Sequence, residues 1–196
     1  GGISPSDNRI MANPYSNNKQ NSSKIIFVTG GTRSGKSEFT EHLAREIQNI
    51  TYVALSEKRE QDKIWEERIL IHRKRRPKSW NLVETTNLIS ILNKEIGPIL
   101  IDSIGGFVME NINKNDKKWL ERMHILLELL RKRNNLTFIV GEQVGWGLVS
   151  EYKIGNIYID RLGELQKEIT RLSQDNWLTI NGRAIKIDQI SLEIPL

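Results

Sequence analysis

The chain has 196 residues, 38% hydrophobic and 27% charged, the size and balance of one ordinary globular domain. It contains no cysteine, which excludes disulfides, thiolate catalysis and cysteine-ligated zinc. There is no apolar run of membrane-spanning length and no charged-then-apolar export signal, and the net charge of +5 admits an anionic partner.

Residues 1–22 are rich in Asn, Ser, Gly and Pro and are expected to lack stable structure, with Met11 the expected natural start. A single domain is expected over residues 23–196, in the cytoplasm. Lys24–Thr29 (KIIFVT) reads as a buried parallel strand. After a Gly-rich segment, Phe39, Leu43 and Ile47 recur at helical spacing, and Thr51–Leu55 (TYVAL) is a second strand. From Gln61 to about Arg75 the pattern is helical, with Trp65, Ile69 and His72 on one face, until Pro77 stops it. A helix over Leu88–Ile96 precedes the third strand, Ile99–Ile101 with Asp102 at its end. Trp119, Met123, Leu126, Leu127 and Leu130 mark an amphipathic helix, and Leu136–Val140 the next strand. A loop over Gly141–Ser150 leads to a helix around Asn156–Leu172, and the chain closes on a hairpin, Trp177–Ile180 and Ala184–Ile187 about an Asn181-Gly182 turn. Strands alternating with helices predict an α/β fold, a mostly parallel sheet flanked by helices, with the C-terminal hairpin attached.

Gly30-Gly31-Thr32-Arg33-Ser34-Gly35-Lys36-Ser37 fits the phosphate-loop pattern at every fixed position, between a strand and a helix, which makes the expected α/β fold P-loop NTPase-like. Glycines let the backbone turn and aim its N–H groups at phosphates, and the helix N-terminus adds positive potential. Lys36 can reach the β- and γ-phosphates, and the Ser37 hydroxyl can ligate Mg²⁺. Asp102, at the end of an apolar run, is placed to be the second Mg²⁺ ligand, although a strand-end Asp also serves as a turn residue or helix cap.

The positive charge collects in His72-Arg73-Lys74-Arg75-Arg76-Pro77-Lys78 and in Arg131-Lys132-Arg133. Such runs are often solvated faces, and no interleaved aromatic residues argue for nucleic acid. His72 by itself reads as a half-buried or helix-capping histidine.

Taken together, the phosphate loop, the Tyr52-Val53-Ala54 strand, the segment Arg68-Ile69-x-x-His72 through Arg76-Pro77-x-x-Trp80, and Val144-Gly145-Trp146-Gly147-Leu148-Val149 resemble the bifunctional adenosylcobinamide kinase / adenosylcobinamide-phosphate guanylyltransferase family of cobalamin biosynthesis. The resemblance runs from about Lys24 to Ile187. It implies a homotrimer that phosphorylates adenosylcobinamide with ATP or GTP and then moves GMP from GTP onto adenosylcobinamide phosphate through a guanylyl-histidine. His72 stands at the nucleophile's place. Ala54, Leu55 and Ser56, the run Arg73, Lys74, Arg75 and Arg76, and Glu84 stand at nucleotide-contacting places, with Mg²⁺ as cofactor. Glu84 also reads as an exposed, salt-bridging residue.

The sequence departs from the family at three points. Asn-Glu-Val-Gly-x-Gly is here Glu142-Gln143-Val144-Gly145-Trp146-Gly147, so Gln143 replaces an acid that neighbouring Glu142 is placed to supply. Arg-Asp-x-x-Gly appears as Ile159-Asp160-Arg161-Leu162-Gly163, and Asn-Gln as Gln166-Lys167. Two other readings compete: a different P-loop metabolite kinase without a covalent nucleotide intermediate, and a non-catalytic module that uses the basic run to bind polyanions.

Overall fold

Short runs of β-branched and aromatic residues, bounded by Gly, Pro or polar turns, become the seven strands of one sheet. The computed structural model describes residues 24–55, 63–144 and 153–195, without the side chains of Ile64, Trp65, Arg68, Ile69 and His72. The expectations for residues 1–22, for Ser56, for the 145–150 part of the loop, and for a shared face of Trp65, Ile69 and His72 lie outside the described residues.

The strands are β1 (Ile25–Gly30), β2 (Thr51–Leu55), β3 (Asn81–Thr85), β4 (Ile99–Asp102), β5 (Thr137–Val140), β6 (Asp175–Ile180) and β7 (Arg183–Lys186). Their order in the sheet is β3-β2-β4-β5-β1-β6-β7. All pairs are parallel except β6 with β7, the expected hairpin. Its turn residues Asn181 and Gly182 have φ of 49° and 74°, the left-handed values a two-residue hairpin loop demands.

The helices are α1 (Lys36–Ala44), α2 (Lys63–Arg75), α3 (Leu88–Lys94), α4 (Gly105–Glu110), α5 (Asp116–Lys132) and α6 (Lys153–Leu172). Successive strand side chains point to opposite faces, so the central strands β1, β2, β4 and β5 feed two cores. Ile25 and Phe27 join Ile99, Ile101 and Ile139 beneath α3, α4, α5 and α6, while Ile26 and Val28 join Tyr52, Leu100, Phe138 and Trp177 beneath α1. From α5, the side chains of Trp119, Met123, Leu126 and Leu130 are buried as the spacing predicts. Each such residue stabilises the domain by roughly 1.5–3 kcal/mol. Asn115 caps that helix by accepting a hydrogen bond from Lys118 N–H at 2.9 Å.

Two of these strands and helices were not expected. β3 is a parallel edge strand next to β2, so the strand ending in Asp102 is the fourth in the chain and not the third. Its sequence, NLVET, is polar at both ends and half-buried, and an edge strand has less apolar patterning to display. α4 follows β4 directly and begins with two glycines, poor helix formers that conceal it. α6 begins at Lys153, ahead of the expected start near Asn156.

Candidate active site

Open parallel sheets bind ligands beyond the carboxyl ends of their strands, and the phosphate loop, Ala54, Glu84 and Asp102 gather there. The loop after β1 turns sharply between strand and helix. Gly35 has φ of 92° and Arg33 of 56°, both left-handed. Gly30 is crowded: a Cβ there would lie 2.2 Å from Thr179 Oγ1 and 2.4 Å from Ser34 Oγ. Ser34 and Thr179 share a hydrogen bond at 2.7 Å, and Gly182 N–H donates to Ser34 O at 2.9 Å, so the β6–β7 hairpin braces the loop from behind. Thr32 and Arg33 are exposed, whereas Gly31, Gly35, Lys36 and Ser37 are half-buried at the mouth of α1. Lys36 Nζ donates to Gly31 O at 3.2 Å, folding the cation back over the loop.

Sheet register carries the other residues to the same edge. Ala54, one residue from the end of β2, pairs on one side with Glu84 of β3 and on the other with Asp102 of β4, and Asp102 pairs in turn with Val140 of β5. Ser37 Oγ donates to Asp102 Oδ2 at 3.4 Å. A hydroxyl and a carboxylate side by side at a phosphate loop are hard oxygen donors of the kind Mg²⁺ takes, one or two from protein with phosphates and waters completing the shell. The phosphate loop and Asp102 are therefore brought together across 65 residues of chain.

Sequence reasoning missed a third member. The Tyr52 hydroxyl donates to the same Asp102 oxygen. Burial, and then the nearby Asp102 charge, push its pKa well above the ordinary phenol value, so it stays a neutral donor. Nothing in TYVAL distinguishes this tyrosine from a core aromatic residue, and only the register places its hydroxyl beside Asp102.

The basic run divides in two. Arg73 and Lys74 are exposed in α2. Arg75 and the following Arg76 turn toward α1, where Arg75 meets Glu38 at 2.8 Å and Arg76 meets buried Glu41 at 3.6 Å. A cavity of about 160 Å³ is lined by Tyr52, Arg73, Arg76, Pro77, Lys78, Trp80 and Leu82. His72 lies in α2, one helical turn before Arg76.

The departures acquire structural roles. Gln143 N–H donates to Gly30 O at 3.0 Å and its side chain to Thr29 Oγ1 at 3.0 Å, tying the β5 exit to the phosphate loop. Glu142 accepts from Ser103 Oγ at 3.2 Å and from the Tyr158 hydroxyl at 3.4 Å. Gln166 grips the Glu142 backbone from both sides, accepting from its N–H at 2.9 Å and donating to its carbonyl at 2.8 Å. Arg161 is buried and donates to the carbonyls of Asn111, Ile112 and Lys114, which makes it a clamp on the α4–α5 connection. Asp160 is exposed.

Residues 26–187 match the family described as cobinamide kinase / cobinamide phosphate guanyltransferase. The bifunctional adenosylcobalamin biosynthesis proteins CobU of Escherichia coli and of Salmonella typhimurium are 25% and 26% identical over 181 residues, covering 83% of this chain and 99% of theirs. The corresponding CobP of Pseudomonas aeruginosa is 28% identical over 161 residues, covering 79% of this chain and 92% of its own. An ATPase of a bacterial type III secretion system shares the fold at a TM-score of 0.54 and 10% identity, over 79% of this chain and 50% of that one. The chain belongs to the cobinamide kinase / cobinamide phosphate guanyltransferase family.

Proposed function

We propose that this family member phosphorylates adenosylcobinamide with ATP or GTP and then transfers GMP from GTP to the resulting phosphate through a covalent guanylyl-His72. The observation that carries the reading is the Ser37–Asp102 contact at 3.4 Å beside the Lys36 loop, within a chain of this family. Phosphoryl transfer needs a cradle for the phosphates, a cation and an oriented acceptor rather than much covalent chemistry from the protein. Residues 30–37 supply the cradle, and Lys36 supplies the compact cation. Ser37 and Asp102 would hold Mg²⁺, which when bound neutralises charge on the β- and γ-phosphates. Tyr52 holds the Asp102 carboxylate in place. In the first reaction the substrate hydroxyl oxygen bonds to the γ-phosphorus, the bond to the bridging oxygen breaks, and the nucleoside diphosphate leaves.

The second reaction uses a side-chain nitrogen. Neutral His72 attacks the α-phosphorus of GTP and pyrophosphate leaves; an oxygen of cobinamide phosphate then displaces the imidazole. Exposed Arg73, Lys74 and Lys78 are cations of the run open to a nucleotide phosphate, and Arg76 lines the same cavity as Arg73 and Lys78. Ala54, Leu55, Ser56 and Glu84 would frame the nucleoside. The same reading makes the working unit a homotrimer.

Mass spectrometry after incubation with GTP and Mg²⁺ tests the reading. The expected result is one GMP added to the peptide that contains His72, removed again by adenosylcobinamide phosphate. Kinase turnover without any adduct would favour the metabolite-kinase alternative.

A further inference from the structure

Two carboxylates stand at the carboxyl edge of the sheet beside the phosphate loop, and hydroxyls hold both. Asp102 accepts from Ser37 and Tyr52. Glu142, two residues past β5, accepts from Ser103 Oγ on Oε1 at 3.2 Å and from the Tyr158 hydroxyl on Oε2 at 3.4 Å. Room for this second seat is built into the backbone. A Cβ on Gly105 would strike the Tyr158 hydroxyl, and one on Gly141 would strike the Gln166 side-chain oxygen. Gln166 in turn clasps Glu142 through both its N–H and its carbonyl. Burial, and then the Glu142 charge, raise the Tyr158 pKa above the ordinary phenol value, so its hydroxyl stays a donor. None of the ion pairs among the described residues includes Glu142. Neutral hydroxyls therefore orient this carboxylate without cancelling its charge, as a cation would.

The sheet order decides where Glu142 stands. β5 lies between β1 and β4, so the chain leaving it emerges between the phosphate loop and Asp102. Gln143 N–H donates to Gly30 O at 3.0 Å on one side, and Ser103, the neighbour of Asp102, donates to Glu142 on the other. Glu142 is half-buried, and one hydroxyl on each oxygen leaves both able to accept a further bond. A fixed, charged acceptor at the place where a phosphoryl group changes hands is what a hydroxyl nucleophile needs. We infer that Glu142 takes the proton of the substrate hydroxyl during γ-phosphoryl transfer, with Ser103 and Tyr158 holding its carboxylate in place. The hydroxyl oxygen bonds to the γ-phosphorus, and its proton passes to a Glu142 oxygen. The bond from phosphorus to the bridging oxygen breaks, and its electron pair leaves on the nucleoside diphosphate. Glu142 then releases the proton to solvent. The inference rests on the kinase part of the proposed function and asks nothing of His72.

Glu142→Gln keeps the size and can still accept from a hydroxyl, but it takes up no proton. Wild type is measured first, as γ-³²P transfer to adenosylcobinamide from ATP and from GTP. Transfer from neither would overturn the kinase reading itself, and this inference with it. At saturating nucleotide and Mg²⁺, kcat of the variant is expected to fall about 10²–10⁴-fold, the usual worth of a general base. The KM for adenosylcobinamide, the affinity for a fluorescent nucleotide and the Mg²⁺ midpoint for its binding are expected to stay close to wild type. A kcat within about three-fold of wild type would overturn the inference. So would a loss that saturating Mg²⁺ or nucleotide restores, which would make Glu142 a metal or nucleotide contact. A raised KM at unchanged kcat would overturn it too, as the signature of uniform substrate binding. Should a thermal melt show Glu142→Gln unfolded, Glu142→Asp keeps the charge and withdraws it by one methylene. Its kcat is then expected to fall about 100-fold, the cost of roughly 1 Å of misplacement, and a wild-type kcat overturns the inference.

Discussion

The phosphate loop and the C-terminal end of α2 solve different problems by different means. The loop is backbone chemistry: left-handed Gly35 and Arg33, a Gly30 with no room for a Cβ, and a hairpin braced behind it. Its geometry is written into eight consecutive residues. The end of α2 is side-chain chemistry: two arginines on Glu38 and Glu41 of another helix, one of them stacked on a tyrosine from a strand. The loop's conformation follows from residues next to one another in the chain, whereas the contacts at the end of α2 join residues from three separate elements. The contrast teaches that a backbone motif is local in sequence even where distant residues brace it, whereas a cluster of side-chain contacts is not local at all.

The most damaging way to break the comparison is in the phosphate loop, which both proposed reactions need. Lys36→Ala is expected to lower both activities by about 10²–10³-fold, the usual cost of removing one preorganised charge-stabilising donor. Near-normal turnover in a coupled assay of either reaction would show that residues 30–37 are not the working site.

The comparison sharpens with His72→Ala. Uptake of α-³²P label should disappear while γ-phosphoryl transfer to adenosylcobinamide persists in part, because only the former needs a nitrogen at the α-phosphorus. If the folded variant still takes up acid-labile label, the nucleophile is another residue, with half-buried His42 on α1 and exposed His124 on α5 as the histidines to replace next.

A smaller effect belongs to the metal side. Asp102→Asn should raise the Mg²⁺ concentration for half-maximal nucleotide binding by at least about 10-fold, since loss of even an outer partner of a metal ligand costs that much. An unchanged Mg²⁺ titration, followed by equilibrium binding of a fluorescent nucleotide, would make Asp102 a turn residue.

The smallest effect is on stability at high pH. Tyr52 has its pKa raised chiefly by burial, and burial likewise raises that of Tyr158. In the folded state both keep their protons above pH ~10, where the phenols of the unfolded chain ionise, so the stability they lend is complete below that pH and is lost as pH rises past it. Each such group steepens the loss by up to about 1.4 kcal/mol per pH unit. Urea midpoints of Tyr52→Phe should therefore fall less steeply than wild type between neutral and strongly alkaline pH. Parallel curves would show that the Tyr52 phenol ionises as freely in the folded protein as in the unfolded one.

Much of the fold was legible because its signals are local. Apolar runs of four to six residues before and after helical periodicity announce a parallel α/β sheet, and Asn181-Gly182 announces its hairpin. β3 and α4 escaped because an edge strand needs only half an apolar pattern and a short helix packed on a sheet tolerates glycine. At the site, residues 30–37 and Asp102 could be read from motif and strand end. Tyr52 and Glu41 could not, because a buried tyrosine and a helical glutamate look the same in sequence whether or not they carry a partner.

By itself, then, the sequence determined the phosphate loop, the parallel α/β order and the resemblance that singles out His72, because each depends on residues a few positions apart and on backbone geometry they dictate together. Only the tertiary structure decided which carboxylate meets which cation. Ser37 reaches Asp102, Tyr52 reaches the same oxygen, and Arg76 closes on Tyr52 and Glu41 through sheet register and helix packing over separations of 65, 50, 24 and 35 residues. Directional contacts of a few ångströms between such distant side chains follow from how the layers pack, and no local pattern encodes that.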